Sequence, residues 1–306
     1  MTSYLGGRLV YALFVLWGAL TIVFVAVRVI PGDPAQMMIG SEGTRQDVEA
    51  LRHRLGLDQP LATQYTRYLA GATRLDFGAS LRLEEPATQA VSERLPATAL
   101  LAGSAMALAV AVGLPLGILA AIRIRSAVDY VVSIASLLGQ SVPNFWLGIM
   151  FILIFARQFR WLPSAGIGGM QHLVLPAVTL ALLLIGVLTR LVRSGLLEVV
   201  DEDYIRSAYA KGLTRRAVIA RHALPNVLIP VVTIVGLQLG NLLAGAVIVE
   251  TVFAWPGAGR LLVDAISNRD YPVVQVGVLC ITAGFILINL LVDVSYAYID
   301  PRIRYR

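Results

Sequence analysis

The segment Asp201-Glu-Asp-Tyr-Ile-Arg-Ser-Ala-Tyr-Ala-Lys-Gly-Leu-Thr-Arg-Arg-Ala-Val-Ile-Ala-Arg-His-Ala-Leu-Pro225 is a polar stretch between two long apolar runs. Its three leading acidic residues suit the first turn of a helix, where the helix dipole favours negative charge. Gly212 is suited to end that helix, and Thr214 can cap a second short helix over residues 215–222. The segment therefore predicts a helix–turn–helix elbow on one face of a membrane.

The composition around this elbow is that of an all-α membrane protein. Of the 306 residues, 57% are hydrophobic and 14% are charged, whereas a soluble domain carries about 25% charged residues. About 20 apolar residues cross a bilayer as a helix, so we expect six transmembrane helices. The segments that meet this test are residues 9–30, 97–122, 129–156, 173–192, 227–249 and 273–294.

The distribution of basic residues predicts the orientation in the membrane. With the N-terminus inside, the cytoplasmic pieces hold 12 basic residues, counting Arg302, Arg304 and Arg306, and the short outer loops hold four. Basic residues favour the cytoplasmic side, so both termini are expected there, in a multi-pass protein of the cytoplasmic membrane. The net charge of +6 is thereby assigned to membrane orientation rather than to nucleic-acid binding.

This topology divides the chain into three parts. Residues 1–30 form the N-terminus and first span, residues 31–96 an extracytoplasmic loop, and residues 97–306 the core with the cytoplasmic loop 193–226. The outer loop carries seven arginines, but loops of this length cross the membrane largely regardless of charge.

The outer loop itself is expected to be folded. Thr44 and Asp47 have the spacing of a capping box, and Gly56 can end the helix that follows. Pro60 suits the first turn of a second helix, which is expected to run to Gly71. The loop is interpreted as a small cap on the outer membrane face or as a docking or gating surface.

Two kinds of site are excluded by residue types. Lys211 is the only lysine and is preceded by Ala210, so the chain has no Gly-Lys-Ser/Thr phosphate-binding loop. The three histidines and the single cysteine lack metal-ligand spacing. We therefore predict no metal site, no cofactor and no ATP hydrolysis within this chain.

The elbow resembles the EAA loop of ABC-importer permeases, which reads Glu-Ala-Ala, three residues, Gly, nine residues, Ile-x-Leu-Pro. With Gly212 as the anchor, Ala208 and the pair Leu224-Pro225 match. Three positions depart from the general motif: Arg206, Ser207 and His222.

The chain is more similar to one branch of that family, the B-subunit permeases of dipeptide, oligopeptide and nickel importers. The similarity extends over nearly the whole chain. Its motifs are Leu57-Asp-Gln-Pro-Leu61, Asp76-Phe-Gly-Ala-Ser80, Ser141-Val-Pro-Asn-Phe-Trp-Leu-Gly148, Asp203-Tyr-Ile-Arg-Ser-Ala-Tyr-Ala-Lys-Gly-Leu213, Arg221-His-Ala-Leu-Pro-Asn226 and Phe253-Ala-Trp-Pro-Gly-Ala-Gly-Arg-Leu-Leu262.

The resemblance implies a type I ABC importer fold in which the elbow couples transport to ATP hydrolysis. The implied partners are a paralogous permease subunit, one or two cytoplasmic ATPase subunits that bind ATP and Mg²⁺, an extracytoplasmic substrate-binding protein and membrane lipid. The implied coupling residues are Asp203, Tyr204, Ala208, Lys211, Gly212, Leu213, Arg215, Arg216, Arg221, His222, Leu224 and Pro225.

Polar residues within the spans are candidates for the translocation pathway, because polar groups at membrane depth tend to face the protein interior or water. The alternative is that each residue forms a hydrogen bond that holds two helices together. The candidates are Gln140, Ser141, Asn144, Gln238 and Asn241.

By family likeness, Trp255 and Arg260 lie near the outer mouth and are candidates for a gate, with Arg260 paired to Asp264 at i, i+4. Glu250 is expected near a span end, where solvation is easier. Two stripes of small residues at four-residue spacing, 105–121 and 236–244, predict close helix packing within the chain or against a second subunit.

We therefore predict the membrane subunit of an importer, with peptides as cargo. Nickel or glutathione remain alternatives within the same family. An ion-driven secondary transporter is the rival outside it, although such a protein would normally show internal repeats, and none is evident. An intramembrane hydrolase is disfavoured because no histidine falls inside a span.

Overall fold

The computed structural model describes residues 2–29, 35–36, 44–80 and 82–299. The three C-terminal arginines used for the orientation lie outside the described residues. The helices are α1 (Thr2–Val29), α2 (Arg45–Leu55), α3 (Leu61–Thr73), α4 (Ala87–Ser92), α5 (Leu95–Ile122), α6 (Ala127–Ser141), α7 (Asn144–Phe151), α8 (Met170–Val200), α9 (Asp203–Ala210), α10 (Arg215–Val218), α11 (Leu224–Val252), α12 (Ala258–Ser267) and α13 (Tyr271–Ile299). Two π-helical segments, Ile152–Gln158 and Ile219–Ala223, continue α7 and join α10 to α11.

Within the described residues, five helices are long and apolar enough to cross a membrane, and the number is six if α6 and α7 together form one span. The expected third span, residues 129–156, is not one straight helix but bends by 104° between Ser141 and Asn144. Val142 is extended, with φ −91° and ψ 128°. This conformation follows from Pro143, because the proline ring disfavours the helical region for the residue before it.

The chain forms two compact units, of which the first contains residues 1–96 and 257–284. The capping box of its helix α2 is confirmed: the Thr44 hydroxyl accepts from Asp47 N–H and the Asp47 carboxylate accepts from Thr44 N–H. Gly56 ends α2 with φ +68°, also as predicted. Helix α3 begins at Leu61 and ends at Thr73, two residues beyond the predicted end.

One hydrophobic cluster of the first unit joins the short helices α4 and α12 with the start of α13. Ala87 and Val91 of α4 pack with Ala258 and Leu261 of α12, and all four are buried. Small and β-branched residues at these positions let the helices approach closely.

The second unit contains residues 97–256 and 285–306. The first small-residue stripe lets α5 pack on α8: a Cβ added to Gly117 would lie 2.7 Å from the Thr189 carbonyl oxygen. The second stripe brings α11 against α13, because a Cβ on Gly240 would lie 2.8 Å from the Phe285 ring. Both stripes thus pack within the chain.

Candidate functional site

The first helix of the elbow, α9, is anchored by two residues and otherwise exposed. Ile205 is fully buried and Ala208 nearly so. The spacing of three residues places both on one helical face, the face toward the core. Tyr204, Tyr209 and Leu213 remain 43%, 40% and 37% exposed, so the outer face carries large apolar side chains that nothing in the described chain covers.

The turn after α9 has the geometry predicted for it. Gly212 has φ +81°, a left-handed conformation that costs a residue with a Cβ about 1 kcal/mol or more. Its N–H donates to Tyr209 O (2.9 Å), and Leu213 N–H donates to Ala208 O (3.4 Å). The Thr214 hydroxyl accepts from Ala217 N–H, which confirms the predicted cap.

The second helix of the elbow does not end at residue 222 as predicted. Helix α10 continues through the π-helical segment into α11, so that a single helical rod runs from Arg215 to Val252. A proline in an α-helix removes one hydrogen bond and clashes with the carbonyl four residues earlier. The wider π turn just before Pro225 accommodates this change, so the proline marks an irregularity in the rod rather than its start.

Two hydrogen bonds attach the elbow to its surroundings. Arg215 Nη2 donates to the Ile122 carbonyl at the end of α5 (2.8 Å), where helix carbonyls lack partners. Asn226 Nδ2 donates to the Tyr204 hydroxyl (2.9 Å) and so joins α11 to α9. Sequence reasoning named Arg215 and Tyr204 as coupling residues but did not foresee these bonds.

An ion pair at the base of the elbow was not found from the sequence. Arg193 on α8 binds Asp129 on α6 through two bonds, Nε to Oδ1 at 2.6 Å and Nη2 to Oδ2 at 2.9 Å. Arg125 N–H also donates to Asp129 Oδ2. The Ser126 cap beside Asp129 was visible in the sequence, but a partner 64 residues away was not.

The remaining coupling candidates lie on the exposed side of the elbow. Lys211, Arg216 and Arg221 are exposed, whereas His222 and Leu224 are half-buried. The Asp203 carboxylate lies 3.6 Å from Arg206 Nη1, and its side chain is 99% exposed. The elbow thus presents basic and aromatic side chains on one surface and holds its buried face against the core.

The pathway candidates divide into two groups. The Gln140 and Ser141 side chains donate to carbonyls of their own helix, and Gln140 also packs beside Gly186 of α8. These contacts favour helix packing over cargo binding for both residues. Ser141 is exposed, however, so its hydroxyl oxygen stays accessible.

The other group lies where α7 meets α11. The Asn144 side chain lies 4.0 Å from the position a Cβ would take on Gly245, and its Oδ1 is buried without a hydrogen bond among the described residues. Asn241, one helical turn before Gly245, donates to Gln238 Oε1 (2.7 Å). The bend at Pro143 is therefore followed by Asn144 beside Gly245 of α11, a glycine one helical turn from Asn241.

The two gate candidates have different surroundings. Trp255 is 2% exposed, and its Nε1–H donates to the Ala97 carbonyl (2.9 Å). Arg260 lies on α12 with Nε 3.8 Å from Asp264 Oδ2, the pair predicted from the spacing. Trp255 is a fixed core residue, which is a poor position for a moving gate.

Glu250 corrects an expectation: it lies near the end of its span but is fully buried rather than solvated. The Thr98 hydroxyl donates to Glu250 Oε1 (2.6 Å), and Trp255 N–H donates to the Glu250 carbonyl (2.8 Å). A span end is solvated only where nothing packs over it, and here α5 and residues 253–255 do so. Sequence position alone could not reveal this.

Comparisons with known proteins agree with this architecture. The family described as binding-protein-dependent transport system inner membrane component matches residues 113–305. Its N-terminal companion, described as a membrane component of the same systems, matches residues 1–102. The chain belongs to the ABC-importer permeases of the peptide and nickel family. Such a permease spans the inner membrane several times and works with an ATPase and a substrate-binding protein.

Relatives and solved structures support the assignment at different levels. The permease is 40% identical to the dipeptide transport system permease protein DppB of Alkalihalophilus pseudofirmus, over all of both chains. It is 42% identical to the glutathione transport system permease protein GsiC of Escherichia coli strain K12, again over all of both chains. A solved methionine ABC transporter, MetNI, shares the fold with a TM-score of 0.55, 19% identity and coverage of 69% of this chain and 96% of that one.

Proposed function

We propose that this permease imports short peptides as one of two paralogous membrane subunits, by alternating access driven by separate ATPase subunits. Support for the cargo comes from the relatives, since one is named for dipeptides and another for glutathione, itself a tripeptide. Sequence identity of about 40% over the full length makes peptide cargo the first candidate. Glutathione is the more specific alternative within that class.

We propose that the elbow receives the ATPase and that the chain itself is not an enzyme. The observation that carries this is the exposed surface of α9, held by Ile205 and Ala208 on its other face. A helix fixed to the core on one side can transmit a push as a rigid body, because packed helices move between discrete arrangements. Arg216 and Arg221, exposed beside it, suit acidic groups on a partner.

The proposed orientation places both termini and the elbow in the cytoplasm and the loop of residues 31–96 outside. The basic residues of the elbow support this arrangement under the positive-inside rule. Accessibility of single cysteines at Arg216 and Arg45 to a membrane-impermeant reagent tests it. Labelling of the Arg45 position from the cytoplasmic side would contradict the orientation.

A pair of glycine variants tests the coupling role. In Gly212→Val a β-branched residue must adopt a left-handed conformation, which should displace α9. Gly166→Val imposes similar strain outside the elbow, at φ +83° with no atom within 4 Å of the added Cβ. The assay is ATP-dependent dipeptide uptake and substrate-stimulated ATPase activity of the reconstituted complex.

We expect Gly212→Val to insert normally and to lose stimulation by about tenfold or more, the equivalent of about 1.4 kcal/mol, while Gly166→Val retains it. Unchanged stimulation in Gly212→Val would count against coupling through the elbow. Uptake of nickel in preference to dipeptides and glutathione would overturn the cargo proposal but not the coupling role.

A further inference from the structure

The first unit contains a cavity that transport does not explain. Its volume is about 600 Å³, within the range of ligand sites. It lies between the last turn of α1, the turn from α2 to α3 and the segment after α3, with Gln275 near the start of α13. The polar side chains that matter here are Arg28, Gln64, Arg67, Tyr68, Arg74 and Gln275.

The cavity is strongly basic. Three arginines line it, and the one acidic residue in its wall, Asp76, accepts a hydrogen bond from Gly78 N–H through Oδ1. The backbone N–H of Arg74 donates to Gly71 O, but the side chains of Arg67 and Arg74 make no hydrogen bond or ion pair with any residue in the described part of the chain. Guanidinium groups bind phosphate and carboxylate oxygens through paired donors, so these two arginines favour an anionic ligand.

The third arginine, Arg28, is held in place by hydrogen bonds that use only some of its N–H donors. Arg28 Nε and Nη2 donate to Gln64 Oε1 at 3.1 and 2.9 Å, and Nη1 donates to Phe24 O at 3.1 Å. Its guanidinium carbon lies 3.4 Å from the centre of the Phe24 ring. A guanidinium has five N–H donors, so one N–H on each of Nη1 and Nη2 stays available to a ligand.

A buried hydroxyl beside these arginines also lacks a partner. The Tyr68 hydroxyl oxygen is buried and has no hydrogen bond within the described residues. Burial raises the pKa of Tyr68 to about 12, although the Arg28 charge opposes the shift, so the hydroxyl keeps its proton and can donate. Buried hydroxyls are rarely unpaired in proteins, and an oxyanion in the cavity would supply the acceptor.

The backbone makes room for this arrangement at one glycine. A Cβ on Gly56 would lie 2.6 Å from Arg67 Nη1, so a side chain at this position would displace the guanidinium. Gly56 also has φ +68°, which ends α2. The same residue thus ends the helix and admits Arg67 to the cavity wall.

The position of the cavity indicates the source of the anion. Val25 and Val29 of α1 are 50% and 74% exposed, as expected for side chains that face lipid tails. Arg28 lies in the last turn of the same span, and Gln275 lies near the start of another. The ends of spans lie at the level of phospholipid headgroups, so a basic cavity at this depth can meet the phosphate of a lipid.

We propose that this cavity binds the phosphate of an anionic phospholipid headgroup through Arg28, Arg67 and Arg74, with Tyr68 as an additional donor. None of the residues that line the cavity belongs to the elbow or to the pathway candidates. Free inorganic phosphate has the same oxyanion chemistry and is the competing source.

The test compares lipid retention by the purified full-length chain. The protein is exchanged into mixed micelles of phosphatidylcholine with a minor fraction of phosphatidylglycerol, and bound lipid is identified by native mass spectrometry. Arg67→Gln with Arg74→Gln removes the two unpaired charges. Arg45→Gln with Arg82→Gln is the matched control, because both residues are exposed on the same unit and lie outside the cavity.

We expect the wild type and the control to retain phosphatidylglycerol selectively, and the Arg67/Arg74 variant to lose about tenfold or more of that selectivity, as for the loss of charge-assisted hydrogen bonds. Equal retention by all three proteins would overturn the proposal. Tyr68→Phe, which keeps the ring, should weaken retention less and guards against misfolding of the double variant.

A second arm adds inorganic phosphate to the protein in the same lipid mixture and, separately, in pure phosphatidylcholine. If free phosphate binds the wild type and displaces phosphatidylglycerol, the lipid source is wrong and the site binds a soluble anion. Absence of such displacement supports the lipid. Neither arm measures transport, so these results stand apart from the outcome of the glycine variants.

Discussion

The two ends of the helical rod over residues 215–252 differ in how far they are buried against the rest of the protein. At the start, along residues 215–223, only Val218 and Ala223 are buried. At the far end, Glu250, Phe253 and Trp255 are at most 2% exposed. A closely packed end has one arrangement, whereas an exposed end keeps side chains free for another molecule. The contrast separates residues that hold the fold from residues suited to a partner.

The largest expected effect is at the buried end. Trp255→Ala removes a buried indole and its hydrogen bond to Ala97 O, which should lower the free energy of unfolding by roughly 3–5 kcal/mol. Trp255→Phe keeps most of the packing and should cost clearly less. Denaturant unfolding of the purified chain measures both. If Trp255→Ala were as stable as the wild type, the description of this end as fixed would be wrong.

The ion pair below the elbow should come next. Asp129→Asn leaves Arg193 with weakened bonds beside a position that is 3% exposed, and we expect a loss of about 2–3 kcal/mol. Asp203→Asn is the matched control, because its pair with Arg206 is long and exposed and should contribute less than about 1 kcal/mol. Similar losses in the two variants would remove the distinction between structural and surface pairs.

A smaller effect is expected where α5 meets the buried end. Thr98→Val removes the donor to Glu250 Oε1. Loss of this hydrogen bond to a buried carboxyl should lower the free energy of unfolding by about 1–2 kcal/mol. Thr251→Val is the control, since that hydroxyl bonds only to its own helix, at Val247 O. Thermal unfolding midpoints of the two variants decide the point: a larger drop for Thr251→Val would contradict it.

How much the sequence could predict follows from how local each feature is. The caps at Thr44 and Thr214 and the turn at Gly212 depend on residues within a few positions, and the structure has all three. The small-residue stripe on α5 predicted close packing but not its partner, because its spacing says nothing about which helix it meets.

Features that depend on distant residues were missed. Glu250 is buried by α5 and Asp129 binds Arg193 from 64 positions away, and neither pairing leaves a pattern in the local sequence. The sequence predicted residues 129–156 as one span and missed the bend at Pro143, since hydropathy measures length and apolarity but not direction. The cavity beside Arg28 brings together parts of α1, α3 and α13 with the segments that flank α3, and no periodicity encodes their meeting.

The smallest expected effect on stability lies at the exposed end, at Arg215 and Arg216. Arg215 Nη2 donates to Ile122 O, whereas the Arg216 side chain makes no hydrogen bond or ion pair with any residue that the structure describes. Arg215→Gln should therefore lower the free energy of unfolding by about 1 kcal/mol, and Arg216→Gln should leave it unchanged.

If the elbow receives the ATPase, the variant with the smaller effect on stability should have the larger effect on ATPase binding. Arg216→Gln removes an uncommitted charge and should weaken ATPase binding, as measured by co-purification across a salt series, because exposed charge pairs are screened by salt. Arg215→Gln should act less on binding, since its guanidinium is already engaged within the chain. A variant that weakens binding without affecting stability identifies an interface residue, and loss of both together in Arg216→Gln would instead make that arginine part of the fold.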